Sequence, residues 1–155
     1  PNLFELQLGY TLQSSLYDRP FEWAENSDLP AQRKMFRTPD SYGYFTSTWN
    51  IAPRFRASLF GTYTGTMLVQ HTFYNAQTDS MQDAETLTPD FFDMGLKLAY
   101  TFRLSTSVNL ELSAGVKNIF NSYQKDLDFG PLKDAGYVYG PALPRMFFAG
   151  LKLTM

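Results

Sequence analysis

The sequence predicts an all-β fold: about six antiparallel strands from the wall of a transmembrane β-barrel, with long outer loops and short turns on the opposite, periplasmic side. Three observations predict it. Apolar and polar residues alternate with a period of two over six segments, the repeat of an extended strand. Every charged residue inside those segments lies in the polar phase. Long and short connections between the segments strictly alternate.

Residues 3 to 17 place Phe4, Leu6, Leu8, Tyr10, Leu12 and Leu16 opposite Glu5, Gln7, Gly9, Thr11, Gln13 and Ser15. From 42 to 51 the apolar phase is Phe45, Trp49 and Ile51, interrupted by Ser47. From 54 to 69 it runs Phe55, Ala57, Leu59, Tyr63, Met67 and Val69, with Phe60 and Leu68 out of step. Residues 92 to 103 carry Met94, Leu96, Leu98, Tyr100 and Phe102 on one side. The stretch SVNLELSAGVK (107 to 117) carries Val108, Leu110, Leu112, Ala114 and Val116, and residues 146 to 155 close with Phe147, Ala149, Leu151, Leu153 and Met155.

The charges within these segments are Glu5, Arg54, Arg56, Asp93, Lys97, Arg103, Glu111, Lys117 and Lys152. All nine fall opposite the apolar residues, an agreement that random phases would give roughly once in 500 trials, so the alternation is a property of the chain.

Connections decide which face looks outward. About 23 residues (18 to 40), about 20 (71 to 90) and about 25 (119 to 144) alternate with tight turns at 51 to 53 and 104 to 106. Compact soluble β domains favour connections of about 4–6 residues, whereas outer-membrane barrels pair short periplasmic turns with long outer loops. Segments of roughly 10 to 15 residues also exceed the usual soluble strand and suffice to cross a bilayer at a tilt. The apolar phase is therefore expected to face lipid and the nine charges to face the lumen. Tyr17, Trp49, Phe55, Tyr100 and Phe102 then fall near strand ends, where an aromatic girdle belongs.

Six strands cannot close a barrel, because the smallest single-chain outer-membrane barrels have eight and an open edge in hydrocarbon leaves backbone groups unpaired. Residues 24 to 37, AENSDLPAQRKMFR, have no alternation to supply more. The 155 residues are thus expected to be the C-terminal segment of a larger outer-membrane barrel.

Composition narrows the function. A net charge of −2 lacks the basic surplus of a nucleic-acid binder. Absence of cysteine excludes disulfides, thiolate metal sites and thiol nucleophiles. No apolar run reaches about 18 residues and the first residues lack a charged and then apolar leader, so neither a membrane-spanning helix nor a signal peptide is expected in this sequence. His71 is the single histidine, too little for a metal site or a catalytic constellation, and is expected to be a loop-base residue. Asp79, Asp83, Glu85 and Asp90 do not have the spacing of a calcium loop and read as a solvated loop. Gly9, Gly61, Gly65, Gly95 and Gly115 lack a phosphate-loop context and are expected to relieve crowding or mark bends in the wall.

The better candidate site is aromatic, in a chain where aromatic residues make up 17%. Phe21 and Trp23 in the first long loop, Phe73 and Tyr74 in the second, and Tyr123, Phe129, Tyr137 and Tyr139 in the third could line an outer vestibule for a bulky, flat or apolar ligand. No cofactor, metal or catalytic residue is expected.

LELSAGVKNIFNSYQKDLD (110 to 128), YVYGPALPRMFFAGLKLTM (137 to 155) and GTYTGTMLVQ (61 to 70) resemble the end of the TonB-dependent outer-membrane receptors, particularly those of Bacteroidetes type. The likeness rests on Gly-Val-x-Asn-Ile-Phe-Asn leaving the penultimate strand, Tyr-Gly-Pro…Pro-Arg before the last, and a final Phe-x-x-Gly-Leu-Lys strand. It implies a 22-stranded barrel with a plug in its lumen, located in the outer membrane of a Gram-negative bacterium. It further implies a non-enzymatic receptor for uptake of a scarce nutrient such as a ferric siderophore, haem or cobalamin. Its implied partners are outer-membrane lipid, the remaining barrel and plug, the TonB complex acting through the absent N-terminal part, and a surface lipoprotein over the outer loops. Met155 departs from the family's usual terminal aromatic, which would weaken the assembly signal. Two other readings compete: a small stand-alone barrel with a structural or adhesive role, and a soluble lipocalin-like binder with the apolar phase turned inward.

Overall fold

A computed structural model describes residues 3–24 and 29–155. Among these the regular elements are all strands: β1 (Phe4–Leu12), β2 (Leu16–Phe21), β3 (Gln32–Lys34), β4 (Ser41–Ala52), β5 (Phe55–Thr64), β6 (Leu68–Asn75), β7 (Ser80–Leu87), β8 (Phe91–Arg103), β9 (Asn109–Lys117) and β10 (Met146–Thr154). Six of them form one sheet in the order β1-β4-β5-β8-β9-β10, antiparallel throughout. These are the six alternating segments, each paired with the next in sequence. The sheet is open, with β1 and β10 at its edges.

Register keeps the six phases aligned. The row Leu6–Ser47–Leu59–Leu96–Val116–Phe147 lies on one face, and Glu5–Thr48–Ser58–Lys97–Gly115–Phe148 lies on the other. The apolar face is bare: Leu8 is 74% exposed, Phe147 81% and Leu151 76%. On the opposite face the Glu111 carboxylate sits between the Arg56 guanidinium at 2.8 Å and the Lys97 ammonium at 4.0 Å. Lys152 stands across from Glu111 in register, and the Lys117 ammonium lies 5.9 Å over the Phe148 ring. Asp93 and Arg103 share this face, while Arg54 sits in the turn between β4 and β5, outside the strand expected for it.

Two expected strands break in the middle. The first ends at Leu12, and Gln13 makes a last rung with its register partner Asp40, donating its backbone N–H to Asp40 O and its side-chain amide to Pro39 O. The third ends at Thr64, and Gly65 makes the last rung with its register partner Ser41: its N–H bonds Ser41 O at 2.8 Å, and a Cβ there would lie 2.5 Å from the Ser41 hydroxyl. Alternation continues past both breaks with new partners. β2 pairs with β3, and β6 pairs with β7, so the first two long connections contain two-stranded ribbons of their own. The third, between β9 and β10, contains no strand.

Glycine and aromatic residues face each other directly across the sheet. The pairs are Gly9–Tyr44, Gly43–Tyr10, Gly61–Phe45, Gly95–Phe60 and Gly115–Phe148. In each, the ring lies where the glycine's Cβ would be. A ring folded over the missing side chain restores cross-strand contact that two small residues would lose. Gly43 also lets Tyr10 and Tyr63 stack across it at 6.4 Å.

Aromatic residues collect at both ends of the apolar face. Phe4 stacks on Trp49 at 6.1 Å and Tyr100 meets Phe102 at 4.7 Å at the end bearing the tight turns. Phe45, Phe92 and Phe120 stack in sequence at 6.4 and 5.8 Å at the end bearing the long connections.

Gly61→Val is expected to destabilise the sheet by about 1–3 kcal/mol through overpacking, since its Cβ would lie 2.5 Å from the Phe45 ring and 3.1 Å from Asp93 O. Denaturant unfolding followed by circular dichroism reads this. The pair Gly61→Val with Phe45→Ala should recover part of the loss.

Candidate functional site

The third connection begins with a backbone device. Asn118 and Asn121 both adopt left-handed φ values, 52° and 56°, which asparagine tolerates better than other side-chain-bearing residues. Asn118 is buried and ties the turn together, donating to Ser122 O at 3.1 Å and Leu143 O at 3.0 Å while accepting from Ser122 N–H at 2.8 Å. The Asn-Ile-Phe-Asn stretch thus folds the chain off β9 and back over the sheet end.

Gln124 is the next anchor and is fully buried. Its amide donates to Tyr137 O at 3.1 Å, and its oxygen accepts from Tyr139 N–H at 2.9 Å and Gly140 N–H at 3.3 Å. One side chain therefore fastens residues 137–140, a solution for buried backbone groups that have no strand partner. Two residues on, the Asp126 carboxylate accepts both phenol hydroxyls, Tyr137 at 3.0 Å and Tyr139 at 2.6 Å.

This loop is docked on the second ribbon. Met67, Val69 and Tyr137 form a small core with Tyr139 against it. His71 lies flat on Tyr137, ring centroids 3.7 Å apart, and its Nε2 is 2.9 Å from Asp128 Oδ2. Asp128 also accepts the Asp134 N–H, and Asp134 in turn accepts the Thr72 N–H. From the first connection Arg37 donates to Gly136 O at 2.6 Å, and both Trp23 and Gln32 donate to the Glu85 carboxylate on β7. All three long connections are joined by side-chain hydrogen bonds.

Charge within this assembly is set by those bonds. The His71 hydrogen bond holds the Asp128 carboxyl below its usual 3.8, against the opposing effect of burial. Burial pushes Asp126 upward, but hydrogen bonds from Tyr139 and Tyr137 outweigh it and leave the carboxyl below its usual value. Both phenols are pushed up, by burial first and by the neighbouring Asp126 second in Tyr139.

The eight aromatic candidates separate into different environments. Tyr123 and Tyr139 line one pocket of about 440 Å³ together with Asp90, Gln124, Lys125 and Asp126. Tyr137 lies beside that pocket but only 4% exposed, so it holds the loop instead of meeting solvent. Trp23 packs edge-on against Phe36, Phe21 tilts against Tyr17, and Phe73 packs on His71. Tyr74 donates its hydroxyl to Asp79, and Phe129, 86% exposed beside Gly130, stands alone at the loop tip. Sequence pattern alone does not mark Gln124, Asp126 and Asp128 as site residues. The one signal for them is matched spacing: Asp126 and Asp128, like Tyr137 and Tyr139, are two residues apart, as two facing extended stretches require.

Comparison of the chain with protein-family models, with characterised proteins and with solved structures finds no match.

Removing His71 (His71→Ala) is expected to weaken the docking of residues 124–140 by about 1–2 kcal/mol, the worth of a ring contact and a hydrogen bond to a carboxylate. Faster amide exchange in that segment with unchanged exchange in β8 is the signature. Because Asp126 and Asp128 are ionised more readily folded than unfolded, their contribution is complete above about pH 4 and is lost as pH falls through their depressed values. Protection of the amides in 124–140, measured relative to their intrinsic exchange rates, should therefore fall below that pH before that of the sheet.

Proposed function

We propose that this chain is the C-terminal part of the barrel of a TonB-dependent receptor in the outer membrane of a Gram-negative bacterium. In this reading its outer loops help capture a scarce nutrient, such as a ferric siderophore, haem or cobalamin, and it has no catalytic role. The observation that carries the reading is the bare apolar face of the six-stranded sheet, with every strand charge on the other side. Water does not tolerate so large a contiguous apolar surface, whereas acyl chains do.

Dimensions agree. Phe92 and Phe102 bracket the apolar face of β8 ten residues apart, which at about 3.3 Å per residue and a tilt of about 40° spans roughly 25 Å, the height of an outer-membrane barrel's apolar band. Aromatic clusters at both ends fit two interfacial girdles. In hydrocarbon the free edges of β1 and β10 would need further strands, supplied in this reading by the remaining barrel. The charged face would line the lumen against the plug, and energy would come through the TonB complex. The loop assembly would face outward, toward nutrient and a surface lipoprotein. A lipocalin-like binder would instead need Leu8, Phe147 and Leu151 turned into a core. Engagement of His71 in loop docking supports a non-enzymatic role.

The chain has no cysteine, so single-cysteine variants report cleanly. In membranes, a spin label at Leu98→Cys should be accessible to oxygen and shielded from a water-soluble nickel reagent, and one at Ser58→Cys should give the reverse. The same accessibility at both positions would refute the membrane reading.

A further inference from the structure

The pocket beside Gln124 has a chemical bias. Its carboxylates are Asp90, which has no hydrogen-bond or ion-pair partner among the described residues, and Asp126. A carboxylate has about four lone-pair sites, and those of Asp126 are taken by the two phenols, its own backbone N–H and Gln124, so Asp90 is the acceptor open to a new donor while Asp126 contributes its charge. The single basic group in the lining is Lys125, whose ammonium lies 6.0 Å over the Tyr123 ring. The chain therefore already places a cation against an aromatic face in this pocket, where ring quadrupole and carboxylates both favour positive charge. An anion would meet two carboxylates and would be repelled.

We propose that this pocket binds an organic cation with a flat apolar body, its amidinium- or guanidinium-type head donating to Asp90 in the field of the Asp126 charge and its body lying against Tyr123 and Tyr139. A planar head with several N–H donors fits the two oxygens of one carboxylate better than a spherical ammonium does. The Lys125 side chain acts as an internal competitor that the ligand displaces. A pocket of about 440 Å³ is of the size that encloses small organic ligands. The inference deepens the reading of these loops as a capture surface and rests on it.

Benzamidine and its neutral near-isostere benzamide are the probes, titrated calorimetrically into the full-length protein solubilised from membranes. Benzamidine should bind about tenfold more tightly than benzamide, with affinity falling as salt rises. Asp90→Asn should weaken benzamidine roughly five- to tenfold, and Lys125→Ala should strengthen it by about three- to tenfold, as expected for loss of an attractive and of a competing charge. Gains of affinity do not follow from damage to the loop, so Lys125→Ala separates ligand recognition from a structural role. Equal binding of the two probes, no binding of either, or unchanged affinity in both variants overturns the proposal. The spin-label pattern at residues 58 and 98 is independent of these outcomes, so failure here is distinguishable from failure of the membrane reading.

Discussion

Six neighbouring strands share one alternation, and hydrogen-bonded register forbids any of them to slip. Because side chains repeat every two residues, a shift of one position in β5 would carry Arg56 and Ser58 to the side of Leu6 and Leu98 and bring Leu59 against Lys97. The segregation of charge from hydrocarbon is therefore a collective property. It fixes which neighbours Glu111 can reach, places Arg56 and Lys97 beside it, and leaves the opposite side of the sheet without a charged group. Aromatic–glycine pairing serves the same end. Large rings opposite vacant positions hold adjacent strands in one alignment, since neither partner fits opposite its other neighbours as well.

At one end of this sheet the chain builds a second kind of order. No ladder extends through residues 118–145, and buried backbone groups there are satisfied by side chains, chiefly Asn118 and Gln124. Such an arrangement depends on a few well-placed amides and carboxylates. It is stiff where they are complete, and its weakest point lies at the tip around Phe129 and Gly130, where none reaches.

The sheet was legible in the sequence because its signal is local and repeated: Leu98, Tyr100 and Phe102 opposite Lys97, Thr101 and Arg103 state the strand and its faces within one short window. Strand ends were less legible. Gly65 reads as an in-phase wall residue until Ser41, far away in the chain, is seen to occupy the space beside it. The loop assembly was nearly invisible. His71 is 57 residues from Asp128, and no periodicity links them; their pairing follows only after the β6–β7 ribbon is folded. Hydrophobic pattern reports burial, and a polar network held by single bonds leaves little trace in it.

Interlocking of the three long connections carries a consequence for how such a protein can change. Arg37 grips carbonyls of residues 136 and 138, and Glu85 is gripped by Trp23 and Gln32. An altered loop surface would thus have to arrive as coordinated substitutions in segments remote from one another, and a graft of one segment onto a foreign scaffold would come without its clasp. Variation here should be inherited as a set.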